Sequence, residues 1–147
     1  MNDKWIFGHQ DIRDVNQMPE GAIGFIYRIF DENGKEYIGQ KSLFSKRKKK
    51  FGKKKIAEIT DKRKKKYEYI IKESNWLSYT GSNKELNEKI EDGLKYTKHI
   101  LQFCFNKKQL TYFETKFLML YGTIEPGNNS YNGNIQGRFY PKDLLND

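Results

Sequence analysis

The sequence predicts an α+β domain in which a small antiparallel sheet is covered by helices. Three observations carry that prediction. Apolar runs rich in Ile, Phe and Tyr, at 24–30 and 37–39, flank Asp31-Glu32-Asn33-Gly34, which is the signature of a β-hairpin. A later run, 97–105, has the residue types of a third strand. From Lys107 onward, Leu110, Phe113, Phe117, Leu120 and Tyr121 recur at steps of three and four, the pattern of a helix with one buried face that stops at Gly122.

Residues 1–21 read as an N-terminal arm: Trp5, Ile6, Phe7, Ile12, Val15 and Met18 are scattered, and Pro19-Glu20-Gly21 makes a turn. The domain proper is expected at 22–147, with a basic insert around 46–66. In the hairpin, alternation assigns Ala22, Gly24, Ile26, Arg28 and Phe30 to one face and Ile23, Phe25, Tyr27 and Ile29 to the other. A loop of this length sets Tyr27 and Tyr37 nearly opposite each other. Ser42 or Ser45 can cap a helix that carries Arg47 and ends near Gly52, and 56–73 reads as a second helix. Ser82 with Glu85 three residues on fits a capping box that opens a helix from Asn83 to about Gly93. The tail beyond Pro126 is rich in Gly and Asn and reads as turns.

A chain of 147 residues accommodates one domain of ordinary size. No apolar run is long enough to span a bilayer, and Met1-Asn2-Asp3-Lys4 is unlike a signal peptide. A lone cysteine, Cys104, sits in an apolar run, so a buried thiol and a reducing cytoplasm are expected. The net charge of +9 is unevenly placed. Residues 46–66 hold thirteen cationic side chains: Lys46, Arg47, Lys48, Lys49, Lys50, Lys53, Lys54, Lys55, Lys62, Arg63, Lys64, Lys65 and Lys66. Against Glu58 and Asp61 they give a local balance of +11, which leaves −2 for the rest of the chain. Such a block suits the phosphates of a nucleic acid; the alternative is a solvated loop that keeps the protein soluble.

Glu114 falls inside the apolar stripe of the last helix. A carboxylate there needs a counter-charge, either a lysine in a salt bridge or a bound cation. Asn132, in Tyr131-Asn132-Gly133, suits either local turn chemistry or a site role. Tyr27 and Tyr37 taken alone are ordinary cross-strand packing residues.

Together these residues resemble the GIY-YIG nuclease family. Phe25-Ile26-Tyr27 and Tyr37-Ile38-Gly39, nine residues apart, look like its paired motif, with the first glycine one place early at Gly24. Arg47, ten residues beyond Tyr37, matches its catalytic arginine on the first helix. The resemblance extends over about 22–134 and implies a three-stranded antiparallel sheet as the centre of the fold. It implies DNA, duplex or branched, as substrate and Mg²⁺ or Mn²⁺ as cofactor, with Glu114 as the metal ligand and Asn132 helping to hold the site. It also implies phosphodiester hydrolysis, with Tyr27 as base, Tyr37 positioning and Arg47 meeting the phosphate. A phenol with a pKa of ~10 is a poor base at neutral pH, so a cation must lower it, and Lys41 is the nearest in sequence. Where family members offer a His or Tyr one turn past the arginine, this chain has Phe51. Lys41, Lys46 and Tyr79 are the candidates to substitute, with His99 more remote. Specificity would come from a homodimer or from the domain's own loops. A catalytically silent nucleic-acid-binding protein on the same scaffold is the competing expectation.

Overall fold

The structure, a computed structural model, describes residues 4–146; residues 1–3, where the expected arm and the signal-peptide reading begin, and residue 147 lie outside the described residues. Its centre is the expected hairpin, β3 (Gly24–Asp31) against β4 (Glu36–Ser42). Asp31 Oδ1 accepts the N–H groups of Asn33 and Lys35, and Gly34 supplies a positive φ that other residues adopt at a cost. That turn fixes the register with Ile29 opposite Tyr37 and Tyr27 opposite Gly39. The two tyrosines, expected nearly opposite each other, are therefore diagonal neighbours two residues out of register, ring centroids 6.2 Å apart. Turn geometry decided the register, and apolar pattern alone does not reveal it.

Between β3 and the N-terminal strands lies β7 (Tyr96–Cys104), antiparallel to β3. Here the expected three-stranded antiparallel sheet needs correction. The chain's first β-strand, β1 (Trp5–Phe7), joins β7 in parallel through Ile6 and His99, and β2 (Gln10–Ile12) folds back on β1. Among the described residues the sheet has five strands in the order β2-β1-β7-β3-β4. Strands of three residues are too short to show a period. They are held by packing: Trp5 is fully buried, its Nε1–H donates to Trp76 O at 2.8 Å, and its ring meets the edge of Phe25 at 4.9 Å. Truncating such a side chain costs about 3–5 kcal/mol.

Both faces of β3 are covered. Phe25, Tyr27 and Ile29 join one core with Trp5, Trp76 and Ile100, where α2 (Lys84–Glu91) adds Leu86. Ile26 and Ile38 join a second core with Leu110 and Leu118 of α3 (Lys107–Leu120). Alternation along β3 is thus as expected over Phe25–Ile29. The helix stripe holds at Leu110, Phe113, Phe117 and Tyr121, which pack in the second core, but Leu120 is 67% exposed and Leu118, 3% exposed, takes its place. The contact line of α3 runs 110, 114, 118, so Glu114 lies between two buried leucines. Helix α2 is capped by Asn83, whose side chain accepts the N–H of Leu86, one residue later than the expected Ser82 cap.

The chain divides into two compact units; one runs to Leu43 and resumes at Asn75, and the other is Phe44–Ser74. The second unit overturns both helices expected between 42 and 73. It is an antiparallel ribbon of β5 (Phe44–Lys50) and β6 (Tyr67–Glu73), with one short helix, α1 (Lys53–Glu58), between them. Lysine suits a helix in isolation. Tyr67, Tyr69, Ile70 and Ile71 are β-branched or aromatic, and pairing across sixteen intervening residues fixes both segments as strands. Arg47 is therefore on a strand, opposite Ile70, and not on a first helix. Among the described residues, no helix is long and apolar enough to cross a membrane. Cys104 is buried as expected, and burial pushes its thiol up to about 11.

Candidate active site

Strand β4 is the last of its sheet, so the outward N–H groups of alternate residues have no neighbouring strand to meet. Each finds a different acceptor. Glu36 N–H donates to Asn129 O at 3.1 Å, Ile38 N–H to Asn132 Oδ1 at 3.0 Å, and Gln40 N–H to the Glu114 carboxylate. The returns are also made: Tyr131 N–H donates to Glu36 O at 2.7 Å, and Asn132 Nδ2–H to Ile38 O at 2.9 Å. The amide of Asn132 thus serves as one rung of a ladder begun by the backbone. Ser130 orients it, donating from its hydroxyl to Asn132 Oδ1 at 3.1 Å and accepting Asn132 N–H at 3.0 Å. Asn132 thus combines local contacts to Ser130 with a long-range hold on β4.

Tyr37 and Ile38 point to opposite faces of β4, and the edge is where groups from both faces converge. A cleft of about 460 Å³ is lined there by Tyr37, Ser82, Asn83, Glu114, Asn132 and Gln136, among others. Three of the residues picked from sequence, Tyr37, Glu114 and Asn132, come together in it. Glu114 is half-buried. It accepts from Gln136 Nε2 at 2.9 Å and from both the side chain and the backbone of Gln40. Burial pushes its carboxyl above the ordinary range, and these neutral donors hold it back. Among the described residues no Lys or Arg forms a salt bridge with Glu114, so the lysine partner considered from sequence is not realised. Nor do the described residues hold a cluster of three or more His, Cys, Asp or Glu suited to a metal. The donor set fits a hydrated hard cation on a single carboxylate, which is how Mg²⁺ is commonly bound.

Tyr27 sits in the core, 1% exposed, across from Gly39. A Cβ at position 39 would lie 2.5 Å from Tyr27 Oη and 2.7 Å from Cζ, so the glycine of Tyr37-Ile38-Gly39 makes room for the ring. Burial raises the Tyr27 phenol well above its usual value; Tyr37, Tyr79, a hydrogen bond shared with Tyr79, and Glu114 raise it further. The expected lowering by Lys41 does not occur. Lys41 lies 4.1 Å over the Tyr79 ring and donates to Asn75 Oδ1 at 2.8 Å, and burial lowers its own pKa. Burial also raises Tyr37, but Ser82 Oγ, 2.8 Å from its hydroxyl, acts to lower it. His99 stacks on Phe30 with ring centroids 5.0 Å apart, and burial, then Arg28, lowers its pKa.

Sequence reasoning missed Ser82, Gln40 and Gln136. Ser82, expected as a helix cap, shares its hydroxyl with Tyr37 instead. The two glutamines carry no periodic or charge signal; only the register of β4 and the path of the tail bring them to Glu114.

The cleft is lined from the first unit. The second unit carries the basic block: Lys46, Lys48, Lys49 and Lys50 on β5, Lys53, Lys54 and Lys55 on α1, and Lys62 to Lys66, with Arg63, before β6. These side chains are exposed, as is Arg47, and Phe51 lies half-buried beneath the ammonium of Lys55 at 4.2 Å.

No curated protein and no solved structure matches the chain. Residues 5–135 match the family described as "Putative endonuclease segE, GIY-YIG domain". That span includes β1, the whole of the five-stranded sheet, the Tyr37–Glu114–Asn132 cleft and the basic ribbon. Membership implies nucleic acid as the class of substrate. With nine-tenths of its length inside that match, this chain belongs to the SegE-type GIY-YIG endonuclease domain family.

Proposed function

We propose that the chain is a divalent-metal-dependent endonuclease that hydrolyses phosphodiester bonds in DNA, duplex or branched, and is of the free-standing phage or homing kind. Glu114 carries the proposal: a half-buried carboxylate with neutral amide donors in place of a lysine, in one cleft with Tyr37 and Asn132. Such a charge is costly to bury without a cation. Glu114 would hold Mg²⁺ or Mn²⁺, which when bound supplies positive charge to the phosphate and to the leaving oxygen.

Hydrolysis forms a bond from water to phosphorus, breaks the bond to the leaving oxygen, and removes a proton from the water. Tyr37 Oη shares a hydrogen bond with Ser82 Oγ; where the tyrosine is the donor its oxygen lone pairs are left for that water, and the proton can pass outward through Ser82. Tyr27, buried and neutral, positions the Tyr37 ring. These roles reverse those expected from sequence, because burial keeps the Tyr27 phenol protonated. Asn132 positions β4 between Tyr37 and Gly39, and Lys41 supports Tyr79, the hydrogen-bond partner of Tyr27. Arg47, permanently charged and able to grip a phosphate with two parallel N–H donors, is the cation assigned to the transition state. The remaining cations of 46–66 bind the DNA backbone.

Nicking of supercoiled plasmid tests this. Wild type should nick with Mg²⁺ and stop in EDTA, while Glu114→Gln should bind DNA and lose about a thousandfold in rate, the equivalent of ~4 kcal/mol of transition-state stabilisation. Nicking in EDTA, or wild-type rates from a folded Glu114→Gln, overturns the assignment. Binding by wild type without nicking in any divalent metal points to the silent binding protein.

A further inference from the structure

The ribbon of the second unit has two exposed faces with different chemistry. Side chains directly opposite in an antiparallel pair share a face. Lys46, Lys48 and Lys50 oppose Ile71, Tyr69 and Tyr67, so one face presents three lysines beside two tyrosines. Phe44 and Glu73 complete that face; the other sets Arg47, Lys49 and Lys72 against Ile70, Glu68 and Ser45, so the two faces match in charge and differ in the tyrosine rings that hold the lysines. On the first face the lysines lie over the rings: Lys46 Nζ is 3.9 Å from the centroid of Tyr69, and Lys48 Nζ 4.3 Å from that of Tyr67. The rings meet edge to face at 5.6 Å. Tyr69, by hydrogen bonding, and then the charges of Lys48 and Lys65 pull the Tyr67 phenol below its usual value.

From this geometry we infer that the Lys46–Lys48–Lys50 face of the ribbon docks along the major groove of duplex DNA; the inference rests on DNA being the substrate. A two-stranded ribbon fits the major groove, about 12 Å wide, and is too broad for the minor groove at about 6 Å. Alternate residues of a strand stand about 7 Å apart, giving a row of three ammonium groups to meet a row of phosphates. A platform for single strands needs open aromatic faces on which bases stack. Here ammonium groups already lie over both rings. An isolated two-stranded ribbon is also marginally stable by itself, so docking would add order as well as affinity.

The test is equilibrium binding of the full chain in EDTA to a 30-base-pair duplex and to its single strand over a range of salt. Three lost phosphate contacts should flatten the log–log slope of Lys46→Gln/Lys48→Gln/Lys50→Gln by roughly 2.7, so a fourfold rise in salt should cost wild type about fortyfold more affinity than the variant. Lys72→Gln, on the other face and outside 46–66, should bind nearly as wild type where Lys48→Gln alone flattens the slope by roughly 0.9, and the triple Lys→Arg variant should keep its affinity. Methyl green, a major-groove ligand, should compete, and netropsin, a minor-groove ligand, should not. Equal losses from both faces, competition by netropsin alone, or tighter binding to the single strand would each overturn the inference. The two readings fail separately: metal-dependent nicking with an unaltered slope for the triple Lys→Gln variant removes the ribbon face alone, whereas face-dependent binding without nicking removes the nuclease alone.

Discussion

Replacing Asn132 by alanine separates holding the site from taking part in the chemistry. The side chain accepts from Ile38 N–H at 3.0 Å and donates to Ile38 O at 2.9 Å. Alanine leaves both backbone groups without a protein partner on the outer edge of β4. A hydrogen bond contributes about 1 kcal/mol net, and a polar group left unpaired where water is excluded costs about 1–3 kcal/mol. The cleft is open to water along this edge, so the loss should be near the lower bound, about 2 kcal/mol for the two groups. For a chain of this length that is a fall in Tm of roughly 6 °C. Ile38 lies between Tyr37 and Gly39, so β4 should also shift, and a displacement of about 1 Å at a reacting group can cost about a hundredfold in rate. Asn132→Asp keeps an acceptor for Ile38 N–H but faces a carboxylate towards Ile38 O, and should be at least as destabilised. Calorimetry and nicking of the same preparations decide it. A hundredfold slower Asn132→Ala with unchanged Tm would refute the positioning role and move Asn132 into the chemistry itself.

Three further outcomes follow from the same geometry. Burial raises the Glu114 carboxyl, so acid should switch off nicking at a pH above the ordinary glutamate value of about 4.3. The linked stability has the opposite sense to that of a salt-bridged acid: the contribution of Glu114 is fully present below its unfolded pKa and lost as pH rises through its folded one. Metal-free Glu114→Gln should accordingly melt higher than wild type at neutral pH and equally in acid, and a lower neutral Tm would contradict the burial argument. Gly39→Ala drives a methyl against a buried Tyr27 ring at 2.5–2.7 Å and should cost about 1–3 kcal/mol, measured by urea unfolding; a neutral effect would mean that the ring can move aside. Arg47→Ala should reduce turnover at saturating DNA by roughly a hundredfold or more, and a change in affinity alone would assign Arg47 to the binding surface.

Features with local causes were legible in the sequence. β3, α2, β7 and α3 stand within about two residues of their expected bounds, because each has a period or a turn of its own, while β4 runs three residues past its expected stop at Gly39. The unusual setting of Glu114 was visible for a similar reason: a carboxylate inside an apolar stripe contradicts its surroundings wherever the helix packs. Tertiary structure decided the rest. Residues 53–58 form the only helix between β4 and β6, since strand pairing at long range overrode the helical preference of lysine and carried Arg47 onto a strand. Trp5 and its three-residue strand have no pattern to read, yet burial makes them part of the sheet. The Tyr27 phenol was expected to be lowered by a cation and is raised by a core, because desolvation depends on what closes over a residue. The composition of the cleft rests on the same kind of fact. An edge strand left three outward N–H groups without a neighbour, and segments distant in sequence supplied Asn129, Asn132 and Glu114 to meet them. The types of residue able to do the chemistry were written in the sequence; which of them meet was settled by where a sheet ended.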